Sequence, residues 1–266
     1  MKYKLIAIDI DGTLLTDNLY IEQETIDNIR QATARNVLVT LSTGRVYNSA
    51  LPFAQKLQLD VPLITCNGAV IKGAKTATKY YEKTIAESCA LEVIDYCQAN
   101  SLDISIYRQD EIFIDEKSIN WEIHTYRDWT TPQILTGQEQ FQDSIIKFLI
   151  NAADKQKLAE HSRKLAELFQ KDLNFYFYLP DFVEVYAKEA TKKNALQFLA
   201  AKFNIKREEI IAIGDNYNDL DMIEYAGLGV AMGNSPSELK NIADFVTYSN
   251  HENGVNYIFK TFVLQP

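Results

Sequence analysis

The chain has 266 residues, of which 47% are apolar and 24% charged, with a formal net charge of −9. This length accommodates a full hydrophobic core and a second module, and the composition is that of a globular protein rather than a disordered one. The acidic balance argues against general nucleic-acid binding, which calls for a basic surface, yet one local positive site is enough for a small phosphorylated ligand.

The first predicted element is a strand over 3–10, an apolar run that leads straight into the first motif, so a signal peptide is not expected. A helix is expected over 22–35 from the spacing of Ile26, Ile29 and Ala32, then a buried strand at 37–41 and a helix over 46–57. A third strand at 62–65 ends at Asn67-Gly68, a turn signal, with 69–71 starting a hairpin. This βαβαβ rhythm predicts a parallel sheet covered by helices.

The pattern changes near residue 84. A helix over 86–99 carries Cys89 and Cys97 on its inner side, followed by short alternating strands at 103–107 and 111–114, an irregular stretch at 118–137 and a strand at 145–150. An amphipathic helix over 154–170 places Leu158, His161, Leu165 and Leu168 on its apolar side, and strands at 175–179 and 182–186 form a hairpin across Pro180-Asp181. The alternation of βα units then resumes: a helix at 191–203, a strand at 210–213, a helix at 218–226, strands at 227–232 and 245–246, and helices at 236–241 and 254–262. The expected organisation is a discontinuous α/β domain, 1–83 with 182–266, interrupted by an α+β module over 84–181.

Cys66, Cys89 and Cys97 are an odd, loosely spaced set, expected to be free thiols in a reducing cytoplasm. With the three histidines in unrelated segments, a zinc site is not expected. No apolar run approaches membrane-spanning length, so neither a membrane nor a nucleic-acid partner is expected.

The chemistry concentrates where two apolar strands end. Lys4-Leu5-Ile6-Ala7-Ile8 runs into Asp9-Ile10-Asp11-Gly12-Thr13, and Ile210-Ile211-Ala212-Ile213 runs into Gly214-Asp215-Asn216-Tyr217-Asn218-Asp219. Open parallel sheets place ligands at the carboxyl ends of their strands. Clustered carboxylates there call for an oxygen-ligated cation such as Mg²⁺, with Asp9 and Asp215 as direct ligands and Asp219 acting through water or orienting the loop. Asp9 has the chemistry of a nucleophile toward phosphorus, and Asp11, two residues on, that of a general acid and base.

Gly12 allows a tight turn that exposes N–H groups to phosphate oxygens. Thr43 and Gly44 close the second strand at a helix N-terminus suited to a phosphoryl oxygen, although Ser42 or Thr43 also reads as a simple cap. Arg45 reads equally as a surface residue and as a support of this loop. Asn67 and Gly68 end a core strand beside the site and are expected to touch ligand, and Asn218 donates to ligand or to Asp9. A positive group is required, and Lys188, Lys192 and Lys193 are its candidates near one helix start.

Taken together these segments resemble the haloacid dehalogenase superfamily, and within it the Cof-type phosphatases, which carry a large inserted cap of the C2B kind. Asp9-x-Asp11-Gly12-Thr13-Leu14 matches the first family motif, Thr43-Gly44-Arg45 the second, and Gly214-Asp215-x-x-Asn218-Asp219 the fourth, with Gly229-Val230-Ala231-Met232-Gly233-Asn234 following. The third motif departs from the pattern: in Glu184-Val185-Tyr186-Ala187-Lys188-Glu189-Ala190-Thr191-Lys192-Lys193, Glu189 and Lys193 stand where the family has glycines. The alignment puts the family lysine at Lys192, with Lys188 as the fallback.

The resemblance implies a Rossmann-like core with an α+β cap and Mg²⁺-dependent hydrolysis of a small phosphomonoester, a sugar phosphate or a phosphorylated cofactor or nucleotide. It makes Asp9 the nucleophile, Asp11 the acid and base as well as a metal ligand through its carbonyl, Thr43 a phosphoryl clamp and Lys192 the counter-charge. Arg108, Trp121, His124, Arg127 and Tyr178 are the cap's candidates for contact with the leaving group, and a monomer or weak homodimer is expected. A phosphomutase using the same nucleophile is the rival activity, and a non-catalytic phosphometabolite sensor a weaker one.

Overall fold

The computed structural model describes residues 2–108, 110–136 and 144–265. The chain divides into two compact units, Met1–Tyr81 with Thr191–Pro266, and Glu82–Ala190.

The first unit is built on a five-stranded sheet with all described pairings parallel, in the order Phe245–Val246, Leu228–Ala231, Ile210–Gly214, Leu5–Ile8, Leu38–Leu41. Side chains of the first strand alternate between two helical layers, as the period of a strand demands. Ile6 and Ile8 join Ile26, Ile29, Ala50, Phe53 and Ile258 in one core, while Leu5 and Ala7 join Leu196, Leu199, Met222 and Leu239 in the other. Both faces are covered, which is why the strands read as continuous apolar runs rather than alternating ones. The predicted third strand is Leu63–Thr65, but it meets this sheet only through a parallel bridge from Ile64 to Ser42. Its ladder partner is Val70–Lys72, antiparallel, in a separate three-stranded sheet completed by Lys79–Glu82.

The second unit has a six-stranded sheet in the order Leu173–Tyr178, Phe182–Ala187, Ile145–Asn151, Asp103–Arg108, Glu111–Ile114, Gln133–Ile134. One face, with Ile104, Ile106, Phe148, Ile150, Val183 and Val185, packs with Val93 and Cys97 of helix Glu87–Ala99 and Leu158 and Leu165 of helix Lys155–Leu168. Cys97 is buried and Cys89 half-buried. Leu168 departs from its predicted place: it is 66% exposed, and Phe169, one residue on, is buried instead. The stretch 118–137, of which 137 lies outside the described residues, contains a short helix, Trp121–Tyr126, and the edge strand Gln133–Ile134.

The sheet also carries an ionic cluster. Lys147 and Arg127 both donate to Glu184 Oε1, at 2.8 and 2.9 Å, and Tyr186 donates to Oε2 at 2.7 Å. Burial pushes the Glu184 carboxyl up, and the neighbouring Lys147 and Arg127 charges outweigh it, leaving it below the usual range. No helix among the described residues is long and apolar enough to cross a membrane.

Candidate active site

Sheet register assembles the site. Ile8 pairs with Ile213, and the Asp9 N–H donates to the Ile213 carbonyl at 3.0 Å, so Asp9 and Asp215 leave adjacent parallel strands at the same edge. Chain order departs in opposite directions from these two strands, toward Leu38–Leu41 on one side and Leu228–Ala231 on the other. This is the topological switch point at which open α/β sheets form their crevice.

Lys192 is the first residue of helix Lys192–Lys202, whose N-cap Thr191 accepts from the Asn194 N–H at 3.1 Å. The Lys192 ammonium is fully buried and donates to Asp9 Oδ1 at 2.6 Å and to Asp219 Oδ1 at 2.5 Å. Burial opposes its charge, but the Asp219 and Asp9 carboxylates overcome this and raise its pKa. Lys193 contributes a backbone N–H to Asp221, and the Lys188 ammonium lies on the Gln170 carbonyl of the second unit. Among the three candidates, geometry brings Lys192 to the carboxylates. The missing motif glycines have different surroundings: Glu189 pairs with Lys83, and Lys193 is the second residue of a capped helix.

Asp9, Asp215 and Asp219 each present an oxygen within 4.8 Å of the others. Burial raises the Asp9 pKa well above its ordinary value, Lys192 opposing and Asp219, Asp215 and Asp11 reinforcing. Burial, reinforced by Asp219, pushes Asp215 up to about 7 despite a hydrogen bond from the Thr13 hydroxyl at 2.8 Å. The donor set is all carboxylate oxygen and carries more negative charge than one lysine neutralises, so it fits a hard divalent cation. Asp219 is the most committed of the three: Oδ1 accepts from Lys192, and Oδ2 accepts the Asp215 and Asn216 N–H groups, both at 3.0 Å. Its bonds tie the lysine to the acidic loop.

A stability prediction follows from these shifts. A carboxyl whose pKa is raised on folding contributes less stability as pH climbs from the unfolded value, about 4, toward the folded one. Asp215 therefore costs stability between about pH 4 and its folded value of about 7 unless a cation compensates it. Millimolar Mg²⁺ is expected to raise the melting temperature by several degrees at pH 7.5 and by much less at pH 5.5. Thermal melts with Mg²⁺ and with EDTA at both pH values check this, and melting curves indifferent to Mg²⁺ at pH 7.5 would refute it.

The loops around the carboxylates are set by close approach. Gly12 has φ +76°, and a Cβ there would lie 2.4 Å from Asp215 Oδ2. Gly68, expected to touch ligand, has φ +91° and lies against backbone, where a Cβ would sit 2.0 Å from the Thr191 carbonyl oxygen. It lets the 66–68 turn seat against the start of the Lys192 helix. Asn67 is fully buried; its N–H donates to the Thr43 carbonyl and its Oδ1 accepts from Asn218 Nδ2, both at 2.9 Å. Thr43 is buried, with its hydroxyl oxygen accepting from the Arg45 N–H at 3.1 Å, and Gly44 runs beside Asn67. The Asp11 carboxylate is held by Arg45, whose Nε and Nη2 donate to its two oxygens at 2.8 and 2.6 Å.

Sequence reasoning missed Asn234 as a site residue: its amide donates to the Gly12 carbonyl at 2.8 Å and braces the loop that follows Asp9. The Gly233-Asn234 turn after a strand was the available signal. It also missed Thr191 as the cap that aims the Lys192 helix, although a threonine three residues before the helical Asn194 is an N-terminus signal.

In the second unit the five proposed cap residues are unequal. His124 is fully buried, within hydrogen-bond reach of Tyr107, Asp128 and Ser105. Arg127 pairs with Glu184 and Asp128, and Arg108 with Glu111. Tyr178 packs at 5.0 Å from the Phe182 ring, and Trp121 is 43% exposed.

Comparison with known proteins bears on this geometry. The model of the haloacid dehalogenase-like hydrolases matches residues 6–259. A Haemophilus influenzae protein named "Putative phosphatase" is 32% identical, over 98% of this chain and 98% of its own length. The 5-amino-6-(5-phospho-D-ribitylamino)uracil phosphatase YcsE of Bacillus subtilis is 30% identical, over 98% of this chain and 96% of its own. A crystal structure of a haloacid dehalogenase-like hydrolase from Bacteroides thetaiotaomicron superposes with a TM-score of 0.87 at 27% identity, covering 97% of this chain and 99% of that one.

Proposed function

The chain belongs to the haloacid dehalogenase-like hydrolases and is an enzyme of their phosphatase kind, and from that premise we propose that it hydrolyses small phosphomonoesters in a Mg²⁺-dependent reaction through an aspartyl-phosphate on Asp9. The observation that carries this reading is the buried Lys192 ammonium bonded to both Asp9 and Asp219, beside Asp215. A cation locked among carboxylates at a strand end is preorganised for charge that develops on a phosphoryl group.

In the first step an Asp9 carboxylate oxygen forms a bond to phosphorus while the ester P–O bond breaks, and the departing oxygen takes the proton of the Asp11 carboxyl. In the second step Asp11 accepts a proton from water as the water oxygen attacks phosphorus. The P–O bond to Asp9 then breaks, releasing phosphate and restoring the Asp9 carboxylate and the protonated Asp11 carboxyl. Lys192 neutralises phosphoryl oxygens, and the Thr43 hydroxyl and Gly44 N–H hold them. Asp9 and Asp215, with the main-chain carbonyl of Asp11, are the groups that would hold Mg²⁺, which when bound supplies Lewis-acid stabilisation of the transferring group.

The unit Glu82–Ala190 serves in this reading as the inserted cap that selects the organic part of the substrate. The name of YcsE gives the substrate class a concrete member, a phosphorylated sugar alcohol on a heterocycle, alongside sugar phosphates and phosphorylated cofactors or nucleotides.

The test is phosphate release from a panel of such esters with Mg²⁺ and with EDTA. Release from at least one ester that is lost in EDTA and restored by Mg²⁺ is expected. Release unaffected by EDTA would overturn the metal dependence, and acid-stable label on the protein that leaves only to a sugar acceptor would make it a mutase.

A further inference from the structure

Asp11 and Arg45 form a pair whose two members differ sharply in exposure. The Asp11 side chain is 53% exposed and the Arg45 side chain 5%. In the same unit the Asp9 side chain is 7% exposed and that of Lys192 is at 0%. The site thus deepens from Asp11 at its open rim to Lys192 at its floor. A phosphomonoester that enters phosphoryl group first leaves its ester oxygen toward the rim, on the Asp11 side.

Arg45 is built as a fixed post beneath this carboxylate. Its guanidinium lies 5.3 Å from the centre of the Phe53 ring. Its N–H donates to the Thr43 hydroxyl oxygen at 3.1 Å and its carbonyl accepts from the Cys66 N–H at 2.9 Å, so side chain and backbone are both anchored. From there Nε and Nη2 meet the two Asp11 oxygens in the parallel, two-point geometry that only a guanidinium supplies.

We propose that Arg45 is a positioning residue that works through Asp11, holding the proton-transferring carboxylate at the rim of the site, and does not itself grip phosphate. The inference rests on the aspartyl-phosphate reading above. During transfer Arg45 keeps one Asp11 oxygen while the other turns to the departing ester oxygen and gives it a proton as the P–O bond breaks. Without the post, the Asp11 side chain samples several rotamers and the proton is delivered less often.

The experiment compares Arg45→Ala, Arg45→Lys, Asp11→Asn and the Asp11→Asn/Arg45→Ala double variant on two substrates: the best alkyl phosphomonoester of the panel, and p-nitrophenyl phosphate, whose leaving group needs little protonation. Arg45→Ala is expected to lower kcat on the alkyl ester about 50-fold and on the aryl ester less than about 5-fold, with KM and the inhibition constant of inorganic phosphate nearly unchanged. The double variant is expected to be no slower than Asp11→Asn within about 2-fold, because the two residues act as one unit. Arg45→Lys, which keeps charge but loses two-point contact, is expected to show the same alkyl-over-aryl bias at smaller size, and it carries the test if the alanine variant does not fold.

Equal losses on both substrates, weaker inhibition by phosphate and additivity with Asp11→Asn would make Arg45 a direct phosphate ligand and overturn the proposal. Asp9→Asn, run in parallel, separates this failure from failure of the underlying mechanism, since an active Asp9→Asn enzyme would remove the intermediate itself.

Discussion

Asp9→Asn is expected to abolish phosphate release, by about 10⁴-fold or more, while leaving the fold intact. Asparagine keeps the shape of the side chain and an oxygen able to accept from Lys192, which also retains Asp219. What it lacks is a carboxylate oxygen that can bond to phosphorus and later leave it. Stability is expected to hold because the charge that is removed was unfavourable: burial and the carboxylates of Asp219, Asp215 and Asp11 all oppose ionisation of Asp9. The readouts are kcat on the best substrate of the panel, a melting curve, and trapping of acid-stable label on the protein during turnover. A folded variant that keeps a tenth of the activity, or still traps label, would take the nucleophile's role away from Asp9.

Lys192→Ala is expected to cost about 10³-fold in kcat, and more activity than any change at Lys188. The ammonium is a fully buried donor to Asp9, so in the proposed reaction its loss removes both the counter-charge for phosphoryl oxygens and a fixed point for Asp9. It also leaves Asp219 buried without its cation, a loss of about 3–5 kcal/mol where one partner of a buried pair is removed. Lys192→Met fills more of the vacated volume and separates the charge effect from a cavity. Lys188→Ala is expected to change kcat by less than about 2-fold, because that side chain is an exposed donor to a backbone carbonyl. Kinetics on the three variants, with melts to confirm folding, decide the matter. A larger loss at Lys188 than at Lys192 would mean that the glycine-poor motif does not place its working lysine where the geometry has it.

The elements that carry the chemistry were legible because their signals are local. Leu5–Ile8 and Ile210–Gly214 are apolar runs buried on both faces, each followed at once by carboxylates, and a parallel sheet has one edge at which such runs end. The family motifs add Thr43 and Lys192, and both stand in the same unit as Asp9. Leu168 was misplaced because helical spacing cannot distinguish adjacent positions near a helix end, where Phe169 closes the core instead. The short helix Trp121–Tyr126 was missed because six residues offer too little periodicity to read. The hairpin from 69–71 was legible in the Asn67-Gly68 turn, whereas the apolar run at 62–65 does not say that its contact with the parallel sheet is a single bridge from Ile64 to Ser42.

The sequence by itself determined the class of fold, the family, and the acidic strand ends that form the candidate site, since burial patterns and motifs are properties of contiguous residues. Only the tertiary structure decided which lysine meets Asp9, that Asp219 gives one oxygen to that lysine and the other to its own loop, and that Asp11 is held by Arg45. Those choices depend on hydrogen bonds between residues as far apart as Lys192 and Asp9, 183 positions along the chain. A hydrogen bond is made or lost over a few tenths of an ångström and a few tens of degrees, and no local spacing encodes that. Sheet register and helix seating supply it, through contacts such as Gly68 against the Thr191 backbone.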